Sequence, residues 1–186
     1  VAYTQHKSSI SWDLTENPPR YGYFWAREYG NLHLMNRKPE TPESVVYVPW
    51  LALRDFWLLS RYTNLNKFQL TIHNPEVVNR QRSDAYQHSP AYCAATGLMG
   101  VPEFMAIPRY YSESARDSIR NLLQIYQTHR PQIWQSFIFP VGDEPTNQSF
   151  SGFQAYQPSQ KEGYLLLFRE LHSEKSMERI KVRFLA

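Results

Sequence analysis

Residues 51–75 read LALRDFWLLSRYTNLNKFQLTIHNP, and the change of rhythm inside this stretch decides the fold class. Across Val45–Tyr62, Leu51, Phe56, Leu58, Leu59 and Tyr62 recur at three- and four-residue spacings, with Arg54, Asp55 and Arg61 between them. That is the pattern of an amphipathic helix, and Pro49 suits its first turn. Lys67–Ile72 then alternates, the period of a strand, and His73-Asn74-Pro75 ends it at once.

The same unit recurs on either side. Ser9–Thr15 (SISWDLT) is a short strand stopped by Glu16-Asn17-Pro18-Pro19, because proline can neither continue a helix nor donate to a ladder. Tyr21–Gly30 is aromatic and reads as a short helix, Asn31–Met35 (NLHLM) as a second strand, and Asn36–Ser44 as a loop. Ser83–Leu98 reads as a helix with small residues at Ala91, Cys93, Ala94 and Ala95, and stop signals at Gly97 and Gly100. Glu103–Ile107 (EFMAI) is a further strand. Ser112–Thr128 is a second clear helix: Ser112 caps it, Ile119, Leu122, Leu123 and Tyr126 form its apolar face, His129 and Arg130 suit the dipole at its end, and Pro131 stops it.

Strand then helix, repeated, implies an α/β fold with parallel strands joined by crossovers. Four such units are half of a (β/α)8 TIM barrel, which needs about 250 residues. An open doubly wound sheet has the same count, but it would normally carry a Gly-rich phosphate turn after its first strand, and none is present. Beyond residue 135 the helices cease. Ser136–Phe139, Phe150–Tyr156, Gly163–Glu170 and Arg179–Leu185 all read as strands, with a turn at Pro158–Gly163. The expected organisation is therefore a partial barrel over 1–135, followed over 136–186 by antiparallel strands that begin a β-sandwich.

Composition excludes several classes. The chain has 186 residues, 42% of them hydrophobic, which suffices for a real core. The net charge of +3 is scattered, without the basic stripe or motif that nucleic-acid binding would want. No apolar run approaches about 18 residues, so a membrane-spanning helix is not expected. Cys93 is the single cysteine, which rules out an intrachain disulfide and a cysteine-based metal site. It leaves the compartment open, with periplasmic or extracellular favoured over cytoplasmic. The six histidines show no metal-ligand spacing, no Gly-x-Ser-x-Gly elbow occurs, and no cofactor is called for. The start at Val1 suggests a processed chain or a fragment.

In a barrel, chemistry sits at the C-terminal strand ends. Each strand here is followed by polar groups: Asp13 with Thr15, Glu16 and Arg20; Asn36 and Arg37; His73 and Asn74; Arg109 and Tyr110. Asp13, Arg20, Asn36, Arg37, His73 and Asn74 are the candidate substrate-binding residues. Strand ends meeting solvent give the same pattern more blandly. Asp13 lies between Trp12 and Leu14, where an unpaired carboxylate is costly. It either pairs with Arg20 or Arg37, or binds substrate hydroxyls or takes part in acid–base chemistry. His73, placed before Asn74-Pro75, reads more readily as a satisfied loop histidine than as a ligand.

A family resemblance enters here. Tyr29–Arg37 (YGNLHLMNR), Leu51–Tyr62, Lys67–Pro75, Phe139–Pro145 (FPVGDEP), Ser149–Gln154 (SFSGFQ) and Gly163–Glu170 (GYLLLFRE) resemble, in this order, the C-terminal stretch of α-galactosidase-like glycoside hydrolases of clan D, near family 36. The likeness runs from about Ser9 to Glu170. It implies a retaining mechanism with two aspartates at barrel strand ends, roughly 5 to 5.5 Å apart. The nucleophile would lie on the fourth strand, ahead of Val1 if these strands are the fifth to eighth, and the acid/base near the end of the sixth. The sequence departs from that pattern at the sixth strand, where Met35-Asn36 stands in place of a carboxylate and cannot donate a proton as an acid does. Glu28, Glu40 or Glu43 would have to substitute from a loop, and the catalytic residues therefore stay unassigned.

The resemblance implies a carbohydrate substrate and, as a partner, the other half of the barrel. An isolated half, with open sheet edges, is expected to dimerise or to bind that half. The alternatives are a non-catalytic carbohydrate-binding barrel homologue, favoured by Met35-Asn36, and a sugar-binding β-module with Phe150, Phe153 and Tyr156 as a partial aromatic platform.

Overall fold

The computed structural model describes residues 47–184, and the backbone of 11–13 and 31–34. The short helix expected at Tyr21–Gly30 lies outside these residues.

Four strands form one parallel sheet in the order β1-β2-β3-β4: β1 is Ser11–Asp13, β2 Asn31–Leu34, β3 Phe68–Ile72 and β4 Val101–Phe104. Strands adjacent in sequence are adjacent in space, so the sheet has been wound in one direction throughout. A doubly wound sheet would reverse its order at a switch point. β4 comes two residues earlier than the sequence suggests, and Met105 N–H extends its ladder by donating to Ile72 C=O at 3.0 Å.

Helix α1, Pro49–Leu59, starts with proline in its first turn, where the missing N–H would have had no partner anyway. It buries Leu53 and Phe56. The helix expected over Ser83–Leu98 is broken into a 3-10 turn at Ala85–Gln87 and a short α2, Pro90–Ala95. Pro90 is the cause: it holds Ser89 extended at ψ 147°, and Ser89 Oγ then caps α2 by accepting from Tyr92 N–H. Helix α3, Glu113–Trp134, is capped by Ser112 as its sequence indicates. It does not stop at Pro131. Ile133, only 6% exposed in the core, and a hydrogen bond from Trp134 Nε1 to Tyr126 Oη hold the last turn beyond the proline.

The second sheet is an antiparallel meander, β5 (Phe137–Gly142), β6 (Phe150–Gln157) and β7 (Glu162–Arg169). The fourth strand expected from Arg179 onward is absent over the described residues 179–184. Instead the Gln154 side chain grips this segment as a peptide group would, donating to Arg183 C=O at 2.7 Å and accepting from Arg183 N–H at 2.8 Å. A side-chain amide has replaced a ladder. Gly152, in the middle of β6, has no room for a side chain, since a Cβ there would lie 2.1 Å from Leu166 O.

One apolar core joins the two sheets: Leu53, Phe56, Leu65, Phe68 and Leu70 from the α/β side pack in the same cluster as Ile138, Phe153, Ala155 and Phe168. The outer edge of β5 is closed by side chains from α1 and from the α1–β3 connection. Trp57 Nε1 donates to Val141 C=O, while Asn64 donates to Ser136 C=O and accepts from Ile138 N–H, each at 3.0–3.1 Å. Asn64→Ala removes two bonds from partly buried backbone groups and should cost about 1–3 kcal/mol. Asn66→Ala, which loses one bond to the exposed Trp134 C=O, should cost less. Denaturant titration of both variants checks the order, and equal losses would show that the β5 edge does not depend on Asn64.

Candidate functional site at the C-terminal edge of the parallel sheet

The parallel register sends all four strand ends to one edge. Asp13 is the last residue of β1. It pairs with His33, which pairs with Gln69. His73 lies four residues beyond Gln69, so Asp13 and His73 share the edge but are separated by roughly 13 Å of strand rise at about 3.3 Å per residue. Arg20, Asn36 and Arg37 fall outside the described residues, as does the side chain of Asp13.

His73 and Asn74 are both buried, at 6% and 3% exposure, which is unusual for polar residues leaving a strand toward solvent. The His73 ring lies 5.2 Å from that of Tyr47. Burial pushes the His73 imidazole below its ordinary pKa, so it is held neutral. Tyr47 is pinned in turn: its C=O accepts from Ser83 Oγ, and its hydroxyl lies 3.5 Å from Thr96 Oγ1. Burial, then the neighbouring Cys93, pushes its phenol up, so it remains a neutral hydroxyl.

Asn74 uses one end of its amide and leaves the other idle. Its Oδ1 accepts from Glu76 N–H at 2.9 Å, a turn that reverses the chain after β3. Its Nδ2 is buried with no hydrogen-bond partner among the described residues. A buried idle donor costs about 1–3 kcal/mol, and such groups concentrate where a ligand or water completes the set.

Glu76 was not singled out by the sequence. Its carboxylate accepts from Ser112 N–H at 2.7 Å and from Ser112 Oγ at 2.6 Å, at the N-terminus of α3 where negative charge is favoured. Asn74, Glu76 and Ser112 thus form a chain of bonds that ties the β3 exit to α3. The only advance signal was the Asn-Pro-Glu turn at residues 74–76. Arg109 and Tyr110 lie in a 3-10 turn, exposed, with the guanidinium over the neighbouring ring at 5.1 Å.

A second polar cluster lies where α2 faces the meander. Asn147 donates to Asp84 Oδ2 at 3.1 Å, and His88 stacks on Tyr92 at 4.6 Å. Glu170, 2% exposed, accepts from Thr146 N–H, Ser149 N–H and Ser151 Oγ. Three donors on one buried carboxylate describe a fastener for the 143–149 loop. Of the three rings expected as a platform, Phe153 is fully buried, Tyr156 stacks on Phe184 at 5.0 Å, and Phe150 is half-buried, so the three do not share one open face. No group of three or more histidine, cysteine or acidic side chains suited to a metal occurs among the described residues.

Cys93 is fully buried, and desolvation pushes its thiol up to about 12. Native protein should therefore resist Ellman's reagent at pH 8 and react only on unfolding; rapid labelling of folded protein would contradict this packing. His73 and His88 are both lowered from 6.5, chiefly by burial. Below pH 6.5 the unfolded chain takes up protons that the folded chain refuses, so stability present above 6.5 is lost as pH falls. Thermal melts between pH 7.5 and pH 5 should show a falling midpoint, and His73→Gln should reduce that fall; an unchanged slope in the variant would remove His73 as a cause. No family model, no curated protein and no solved structure matches the chain.

Proposed function

We propose that the chain is the C-terminal half of a (β/α)8-barrel glycoside hydrolase acting on α-galactoside-type carbohydrates by a retaining two-carboxylate mechanism, inactive by itself. The observation that carries this reading is the winding of the parallel sheet: four strands in sequence order, all parallel, with no reversal. A barrel is built by continuing that winding to eight strands. Four strands supply half of the staves, and the other half would come from a polypeptide segment outside residues 1–186. The family resemblance supplies the substrate class. The meander after α3 would be the start of the C-terminal β-domain.

On this reading, His73 and Asn74 sit where βα loops face substrate. A neutral imidazole and an idle amide N–H suit sugar hydroxyls, which accept and donate at close spacing. They would bind and orient, while the two carboxylates would come from elsewhere in the barrel. β4, at the edge of the sheet, adjoins an apolar groove of about 510 Å³ that includes Phe104, Ala106, Tyr111, Ile119 and Leu123. The first strand and helix of the remaining half would close against it.

A non-catalytic, sugar-binding barrel is the second reading, and Met35-Asn36 at the end of β2, where the resemblance implies a carboxylate, favours it. Hydrolysis of 4-nitrophenyl α-galactoside separates the two. The complete reading frame should turn over the substrate and residues 1–186 alone should not. Asn74→Ala in the full-length protein should raise KM about tenfold, equivalent to ~1.4 kcal/mol, with folding intact. Binding of galactosides by the full-length protein without turnover would select the second reading, and neither binding nor turnover would sink both.

A further inference from the structure

We infer that the cleft between the end of α1 and β5 is a second carbohydrate site, selective for an anionic saccharide: a pyranose bearing a carboxylate or sulfate. It adjoins the chain entering β3, whereas His73 and Asn74 follow the strand's other end. α1 runs into the N-terminal end of β3, and the loop that joins them forms one wall of this cleft.

The cleft holds about 590 Å³ and is open to solvent. Its rings are Trp57, Tyr62, Phe137 and Phe139, and its cations are Arg61 and Arg183. Tyr62 is 79% exposed and Phe137 56% exposed. Leaving large rings in water in a concave site gives up the stabilisation that burial would bring. Flat, exposed rings are what the C–H faces of a sugar stack on.

The charge of the cleft makes the assignment specific. Among the described residues it is lined by two arginines and no Asp or Glu, and neither arginine takes part in an ion pair. Each guanidinium is instead laid on a ring, Arg61 on Trp57 at 5.7 Å and Arg183 on Phe139 at 5.3 Å. The rings occupy one side of each cation, and with no carboxylate bonded to either among the described residues the guanidinium N–H groups are available to fork onto a carboxylate or sulfate. The supports are fixed: Trp57 is bonded to Val141 C=O, and the backbone of Arg183 is clamped by Gln154. An adjoining cavity that shares Pro140, Gly142 and Arg183 adds Arg179 and Lys181. The acids there are Asp143 and Glu178, and Glu178 is already paired with Lys175. A chain of acidic sugars could therefore continue from one cavity into the next.

Calorimetric titration of residues 1–186 with a galacturonic acid trisaccharide, neutral galactotriose, sodium sulfate and adenosine monophosphate tests the assignment. The acidic trisaccharide should bind saturably and at least tenfold more tightly than the neutral one, and more weakly as salt is raised. Arg61→Ala, Arg183→Ala and Tyr62→Ala should each weaken it about tenfold or more while melting like the parent chain. Several outcomes overturn the proposal: no saturable binding; equal affinity for the neutral sugar; sulfate or the nucleotide binding as tightly as the trisaccharide; or binding that survives Arg61→Ala but is lost in Asn74→Ala, which would place the sugar at the other edge. Turnover of α-galactosides does not enter the readout, so this proposal and the glycosidase reading fail separately.

Discussion

Everything else in the structure rests on one shared apolar core. Phe68 and Leu70 point from the parallel sheet into the same cluster as Phe153, Ala155 and Phe168 from the meander. Two small sheets, each too slight to bury a full complement of side chains, complete one interior between them. Polar fastening follows from that contact. The β5 edge could be sealed by Trp57 and Asn64 only because the core brings α1 and its connection to β3 alongside it. The cleft with Arg61 and Arg183 is the outer rim of the same junction.

The two ends of the parallel sheet are thereby given different characters. At the C-terminal edge, polar groups are sunk into the protein: desolvation holds His73 neutral, burial beside Cys93 keeps Tyr47 a neutral hydroxyl, and the turn with Glu76 fixes the uncharged Asn74 amide. At the opposite edge, charged and aromatic groups stand in water on fixed supports. Neutral, buried hydrogen-bonding groups suit the hydroxyls of an uncharged sugar. Exposed arginines laid on rings suit one that carries charge.

Local patterning made α1, β3, α3 and the meander legible in the sequence, because each has a strong period and its end signals act within a few residues. The Ser112 cap of α3 could be read directly. Departures arose where distant contacts outweighed local preference. Pro131 reads as a stop, yet the packing of Ile133 carries the helix past it. The segment after Arg179 has a strand's composition, but β6 already has β5 and β7 as neighbours, and the Gln154 amide takes the place of a ladder. Of the candidate site, the burial of His73 and Asn74 was invisible locally, since it depends on Tyr47 and on the turn through Glu76. The role of Glu76 was equally hidden, because Ser112 is 36 residues away. The pairing of Arg61 with Arg183 across one cleft needs residues more than a hundred positions apart, brought together only by the shared core.

Sealing β5 with side chains has a consequence for assembly. Among the described residues, the meander has one edge occupied by Trp57 and Asn64 and the other formed by β7, where Leu165 and Leu167 stand 48% and 46% exposed. The second sheet is therefore polar in the polymer sense, blocked at one end and extendable at the other. Among the described residues, a β-strand recruited from another polypeptide has one place to add, alongside β7, and that contact would join sheets into edge-to-edge pairs rather than propagate them into a fibre.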